Sequence, residues 1–223
     1  YLGAARQIHE NWEDKISSMQ DWGWVNQESH QLIKDVLGNG QVTANPGRQR
    51  HLFASAFTPE GPKSYAATLT GPASRGVIIK GQPGTGKSTL LGKIATYARE
   101  RGYYVEFYHS PINPAKIQHI LLPELDTIFT SSTELFPYTE DRGYPTINLD
   151  YGLNRDKMNN HRTELETDRQ TFLQLLNTGI GLIKRAREAH MEVEEFYVAN
   201  MDFAALDSLQ ESLLKQILER ANT

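Results

Sequence analysis

The chain has 223 residues, enough for one sizeable α/β domain with an accessory element, and 39% of them are apolar, as in ordinary globular proteins. A net charge of −4 and the lack of any lysine or arginine run give no positive evidence for a nucleic-acid partner. No segment approaches the roughly 18 consecutive apolar residues of a membrane span, and none resembles a secretory signal. The chain has no cysteine, which fits a reducing compartment, so we expect a cytoplasmic protein.

The first 37 residues are predicted to be helical, and a linker follows them. We therefore assign residues 1–46 to a helical segment outside the main domain. The chain begins with Tyr1 instead of Met, which indicates a piece of a longer protein.

A phosphate-binding loop pattern, G-x-x-x-x-G-K-[ST], is fulfilled without mismatch by the segment GQPGTGKS, residues 81–88. Before it, the β-branched run 77–79 predicts a buried strand. After it, apolar residues at three- and four-residue spacing predict a helix that ends at Gly102. Strand, glycine loop and helix is the order that this motif requires, so we expect a bound nucleoside di- or triphosphate.

Each residue of the loop has an expected role. Glycines let successive N–H groups face the phosphates, Lys87 reaches the β- and γ-phosphates, and the Ser88 hydroxyl ligates Mg²⁺. The predicted nucleotide-binding residues are Gly81, Gln82, Pro83, Gly84, Thr85, Gly86, Lys87, Ser88 and Thr89. No N-K-x-D signature of a guanine site occurs. The expected cofactors are ATP and Mg²⁺.

Further strands are expected beyond the helix, at 103–108, 117–122 and 127–131, with a short helix starting at 114–119. Their alternation predicts an α/β fold, a mostly parallel sheet flanked by helices, over residues 47–155. Ligands of such sheets lie at the carboxyl ends of the strands, which places His109 and the residues after 127–130 near the phosphates. Residues 132–155, rich in Pro, Gly, Tyr and Asp, predict a surface loop.

The C-terminal part, residues 156–223, is predicted to form an accessory hairpin of long helices, broken or bent at Gly179 and Gly181. Aligning His9 with His190 relates residues 1–37 to this part without a gap. The identical pairs are Ala5/Ala186, Arg6/Arg187, His9/His190, Glu13/Glu194, Asp21/Asp202, Leu32/Leu213, Lys34/Lys215 and Leu37/Leu218. Shared helical periodicity is one explanation; an internal repeat explains the polar identities better. It predicts a sister phosphate loop upstream of Tyr1 in the full-length protein.

Several segments together resemble a poorly characterised bacterial family of tandem P-loop ATPase-like proteins. The matching segments are RHLFASAFTPEG (50–61), GQPGTGKST (81–89), RGYYVEFYHS (101–110), ILLPEL (120–125) and ANMDF (199–203). The resemblance implies a P-loop NTPase fold and an ATP-related role. It also implies that this chain holds the end of the first copy and the whole second copy.

One position departs from this family's pattern. There, the strand after the "PEL" segment ends in an aspartate that holds Mg²⁺ through water; here Ser131 takes its place. We expect Ser88 and Ser131 at the metal, with Glu124 or Asp126 as substitute carboxylates and Asp150 as a weaker one. Hydrolysis by such a site is expected to be slow.

The expected catalytic residues are Lys87, His109, Glu124 and Asp126. His109 either positions water or merely caps a turn before Pro111, and Arg142 is either an inserted arginine or a solvated one. Three functions stay open: a weak Mg²⁺-dependent ATPase that works as a nucleotide-controlled module, a small-molecule or nucleotide kinase with loop 132–155 as a lid, and a non-catalytic regulatory ATP-binding domain.

Overall fold

A computed structural model describes residues 1–38, 40–69, 71 and 75–221. The α-helices are α1 Leu2–Ser17, α2 Trp22–Leu37, α3 Lys87–Glu100, α4 Arg155–Asn160, α5 Arg162–Val198 and α6 Phe203–Ala221. The strands are β1 Gln49–Leu52, β2 Ser55–Thr58, β3 Gly61–Ser64, β4 Arg75–Lys80, β5 Val105–His109, β6 Ile117–Leu122, β7 Thr127–Ser131 and β8 Thr146–Asn148.

Six strands form one sheet in the order β1-β5-β6-β7-β4-β8, while β2 and β3 pair separately as an antiparallel hairpin. Strand β4 lies between β7 and β8 and is parallel to both. Strand β1 is parallel to β5, and β6 is antiparallel to its neighbours β5 and β7. The α/β fold with a mostly parallel sheet and flanking helices is therefore confirmed, and the sheet is mixed.

Strand β6 replaces the short helix that was expected from 114–119, and that prediction was wrong. Pro114 lies in a turn, and the chain is extended from Ile117 onward. A 3₁₀ turn, Pro123–Leu125, joins β6 directly to β7. Such a short connection allows only an antiparallel pair, because a parallel crossover needs a dozen or more residues.

The region 132–155 contains more structure than the predicted surface loop. Strand β8 adds an edge to the sheet beside β4, and a 3₁₀ turn, Leu149–Gly152, follows it. Leu149 is fully buried in the core. A three-residue strand is too short to give a period in the sequence, which is why this element was missed.

The main hydrophobic core lies between the sheet, α3 and α2. Helix α3 buries one face against the strands: Leu90, Leu91, Ile94, Ala95 and Ala98. Helix α2 packs on α3 through Leu32, Ile33 and Leu37. Helix α2 therefore packs on α3, the helix that follows the glycine-rich segment 81–86.

A second core cluster joins α1 to the first half of α5. Trp12 and Ile16 of α1 pack with Leu165, Phe172 and Leu176 of α5. Helix α5 runs without interruption through Gly179 and Gly181, so the break expected there does not occur. A glycine costs a helix only about 1 kcal/mol relative to alanine, which the neighbouring helical residues outweigh.

The chain divides into two compact units, residues 1–181 and 182–223. This differs from the predicted boundaries after residues 46 and 155. The helices on both sides of residues 47–155 belong to the first unit because α1 and α2 complete its core.

The turns at Asp21 and Asp202 have the same hydrogen bonds. Each aspartate caps the next helix, with Trp24 N donating to Asp21 Oδ1 and Ala205 N to Asp202 Oδ1, both at 3.0 Å. Four backbone hydrogen bonds of the first turn recur at the aligned positions of the second turn. The pairs are Ser18 N to Asp14 O and Ala199 N to Glu195 O; Met19 N to Ile16 O and Asn200 N to Tyr197 O; Gln20 N to Ser17 O and Met201 N to Val198 O; and Val25 N to Asp21 O and Leu206 N to Asp202 O. The two corners thus have one local geometry.

Among the described residues, no helix combines the length and apolarity needed to cross a membrane.

Candidate functional site

The glycine loop, residues 81–86, leaves the carboxyl end of β4 and leads into α3, as the sequence predicted. Gly86 is the N-cap of α3 with φ 101°, a left-handed conformation that side chains rarely adopt. The first N–H groups of this 14-residue helix have no intrahelical partner, so they can donate hydrogen bonds to an anion.

Lys87 opens α3 and folds back over the glycine loop. Its ammonium donates to the carbonyl oxygens of Gly81 and Gln82, both at 2.6 Å. Burial lowers the pKa of Lys87 to about 8, although the carboxylates of Asp150 and Glu13 act in the opposite direction. The amine is therefore a cation that lacks full solvation, a state which nearby phosphate oxygens would favour.

The other polar side chains of the motif hold the local framework. The buried Thr85 hydroxyl donates to Gln82 O at 2.8 Å. Ser88 Oγ accepts from the N–H of Ile117 at 2.9 Å, which ties α3 to β6, while Thr89 is exposed.

Ser131 ends β7, the strand beside β4, and its register partner is Ile79. It is buried and lines the same cavity as Lys87 and Ser88. The structure thus places Ser131 at the carboxyl end of the neighbouring strand, the position at which the resemblance implied a metal-holding side chain.

Asp150 is the carboxylate that lies directly on the glycine loop. It belongs to the 3₁₀ turn after β8, and its Oδ1 accepts from the N–H of Gln82 at 2.8 Å. Leu149, fully buried beside it, anchors this turn in the core. The sequence ranked Asp150 below Glu124 and Asp126, and the structure brings only Asp150 of these three to the loop.

The corner between α1 and α2 covers the glycine loop, a contact that the sequence did not indicate. The Gln20 amide donates to Thr85 O and to Leu149 O, both at 2.9 Å. A β-carbon on Gly84 would lie 2.1 Å from the carbonyl oxygen of Glu13, so only glycine fits there. A β-carbon on Gly86 would lie 2.9 Å from the Trp22 ring.

Glu13 adds a second carboxylate to the site. Its Oε2 is 2.5 Å from Lys116 Nζ and 3.7 Å from His9 Nδ1. Burial by itself raises the pKa of Glu13, but the His9 and Lys116 side chains outweigh burial and leave that pKa below its usual value. Glu13 is thus a carboxylate near the cavity. The only sequence signal for Glu13 was its identity with Glu194 in the aligned segments.

These elements enclose a cavity of about 620 Å³. Its lining includes Lys87, Ser88, Ser131, Asp150, Glu13 and Arg169. Two lining residues also have a buried polar atom without a hydrogen-bond partner among the described residues: Trp12 Nε1 and Gln118 Oε1.

The remaining sequence candidates lie elsewhere. His109 ends β5, which β6 and β7 separate from β4, and its Nε2 is 2.8 Å from His51 Nδ1. Glu124 and Asp126 lie in the turn before β7, at the opposite end of the strands from the glycine loop, and Glu124 accepts from Tyr104 N. Arg142 donates to Gly71 O. The structure therefore brings none of these four to the cavity.

No group of three or more His, Asp or Glu side chains in the described part of the chain could hold a metal ion by itself. Magnesium is commonly held by one or two protein ligands together with phosphate oxygens and water. The hydroxyl of Ser88 and the carboxylate of Asp150 fit that mode of binding.

Comparison of the chain with protein-family models, with curated proteins and with solved structures finds no match.

Proposed function

We propose that this chain is a P-loop NTPase-type domain that binds ATP with Mg²⁺ and hydrolyses it slowly, acting as a nucleotide-controlled module. The observation that carries the proposal is the position of Lys87, a part-buried ammonium at the N-terminus of α3, directly after the left-handed Gly86. A cation and unpaired helix N–H groups at one point favour a multiply charged anion such as a triphosphate.

The side chains around the loop support a magnesium-dependent ligand. Ser88 supplies a hydroxyl at the first turn of α3, and Asp150 supplies a negative charge at Gln82. When Mg²⁺ is bound, it neutralises phosphate charge and holds the phosphates in place. In this scheme Lys87 leaves the carbonyls of Gly81 and Gln82 and binds the β- and γ-phosphates.

Slow cleavage follows from the lack of a negative charge at Ser131. A neutral hydroxyl at the end of β7 positions the metal less firmly than a carboxylate. Positioning and charge stabilisation supply nearly all of the catalysis in this reaction class. Asp150 compensates in part, because its carboxylate approaches the loop from the opposite side of β4, on the β8 side.

A non-catalytic regulatory domain is the second candidate, and Ser131 is the observation that favours it. A kinase has less support, because Arg142 bonds to Gly71 and does not line the cavity. Arg169 does line the cavity, but it is paired with Glu134 and Glu166.

Calorimetric titration of ATP with Mg²⁺ tests the binding function. Lys87→Ala should weaken the affinity at least about tenfold, or about 1.4 kcal/mol, because the main positive charge at the phosphates is lost. Lys63→Ala is the matched control, since Lys63 lies on the exposed end of β3. Equal affinities for the two variants would refute the proposed site.

A further inference from the structure

The helical pair of the second unit, residues 182–221, exposes many large apolar side chains. Val193, Tyr197, Leu206, Leu213, Leu214 and Leu218 are between 48% and 67% exposed. Solvent contact over so many large apolar side chains marks an interaction surface.

These six residues correspond one by one to the buried face of the N-terminal helical pair, residues 2–37. In the alignment that pairs His9 with His190 they match Trp12, Ile16, Val25, Leu32, Ile33 and Leu37. Each of those is at most 8% exposed. Both pairs also have the same capped corner, with Asp21 and Asp202 in equivalent roles.

The N-terminal pair shows what such a face covers. Helix α2 packs on α3, α1 packs on the first half of α5, and the corner rests on the glycine loop. The apolar face thus matches the surface formed by α3, the first half of α5 and the glycine loop, which we call the nucleotide-loop core.

Charge complementarity points to the same surface. Lys116 at the cavity pairs with Glu13, next to His9. The C-terminal pair has His190 and Glu194 at the equivalent positions. Glu194 would therefore meet Lys116, and Phe203 would replace Trp22 over Gly86.

We propose that the C-terminal helical pair docks on the nucleotide-loop core of a second copy of this chain, in the place that the N-terminal pair occupies within the chain. The interaction does not require ATP to bind, so it stands or falls separately from the proposed function.

Two differences make the docked pair weaker than the resident one. Gln210 aligns with Ser29, which is small and fully buried. Met201 aligns with Gln20 and cannot make the two hydrogen bonds that the Gln20 amide donates to Thr85 O and Leu149 O. Docking requires the resident N-terminal pair to leave this place. Because docking joins two chains, its extent should rise with chain concentration.

Disulfide trapping tests the docking, because the chain has no cysteine of its own. Chains of residues 1–223 carrying Glu194→Cys are mixed with chains of the same length carrying Lys116→Cys and oxidised mildly. The second substitution also removes the Glu13–Lys116 ion pair and so loosens the resident helices. We expect the mixed dimer to form several times faster than with Glu192→Cys, whose position lies on another side of α5.

Two outcomes overturn the proposal. One is an equal rate of mixed-dimer formation for Glu194→Cys and Glu192→Cys. The other is preferential linkage of Glu194→Cys chains to each other, which would show that the pairs pack together instead of on the core. As a check by sedimentation, Leu206→Asp should reduce concentration-dependent association, while Ser208→Asp, equivalent to the exposed Gln27, should not.

Discussion

The Asp150 carboxylate holds the backbone N–H of Gln82 at 2.8 Å, and thereby connects the turn after β8 to the glycine loop after β4. These residues are 68 positions apart in the chain. The contact combines two roles that substitution can separate: it fixes the loop, and it brings a negative charge to the expected metal position.

Asp150→Asn should separate them. The amide oxygen can still accept from Gln82, so ATP affinity should change by less than about threefold, or about 0.65 kcal/mol. Single-turnover cleavage with Mg²⁺ should fall roughly tenfold or more, since the charge is lost. Asp126→Asn is the control, because Asp126 lies at the opposite end of the strands from the glycine loop, and it should change neither quantity. A cleavage rate unchanged by Asp150→Asn would remove Asp150 from the metal site.

Ser131→Asp should raise single-turnover cleavage more than it raises affinity, because it places a carboxylate at the carboxyl end of β7. Ser131→Ala should leave cleavage close to that of the unmodified chain. If the unmodified chain already turns over at around 1 per second, the low end of typical enzyme rates, the serine does not limit the reaction.

The affinity for ATP should fall as the pH rises through about 8, the lowered pKa of the part-buried Lys87 ammonium. Phosphates raise this pKa in the complex, so affinity is fully present below about 8 and falls by up to tenfold per pH unit above it. Binding near pH 8.5 should take up protons, measurable by calorimetry in buffers of different ionisation enthalpy. Lys87→Arg, which stays charged, should show neither effect.

His119 should make the protein sensitive to acid. It is buried with its Nδ1 2.6 Å from Thr130 Oγ1, and burial lowers its pKa to about 3. Its contribution to stability is fully present above the unfolded pKa of about 6.5 and is lost as the pH falls from there towards 3. The slope is about 1.4 kcal/mol per pH unit at most.

Denaturant unfolding at pH 6.5, 5.5 and 4.5 measures this effect. His119→Gln should show a smaller loss of stability than the unmodified chain over this range, whereas His30→Gln, on an exposed position of α2, should not. Parallel curves for all three proteins would contradict the assignment to His119.

The glycine loop and its helix could be predicted from the sequence because their determinants are local. The glycines, Lys87 and the apolar spacing of α3 all lie between Arg75 and Arg101. Ser131 was placed correctly at the end of β7 because the β-branched and aromatic residues Thr127–Thr130 favour a strand.

The rest of the site depends on strand order and on long-range packing. His109 ends its strand as predicted, yet the antiparallel β6 and then β7 separate β5 from β4, and no local pattern encodes that order. Glu13 and Gln20 reach the loop from a helical corner far upstream in the chain. The sequence pointed to Glu13 only through its identity with Glu194 in the aligned segments, and it gave no signal for Gln20.

The packing of α1 on α5 also sets the order in which the chain can fold during synthesis. The buried partners of Trp12 and Ile16 include Leu165, Phe172 and Leu176, so α1 cannot complete its buried face until α5 has been made. At ~5–20 residues per second that interval lasts roughly 8–30 s. During it α1 stays exposed to solvent on the nascent chain, and contacts of such long sequence separation also slow folding. A chaperone that binds apolar helices on ribosome-bound chains would therefore find its target in α1.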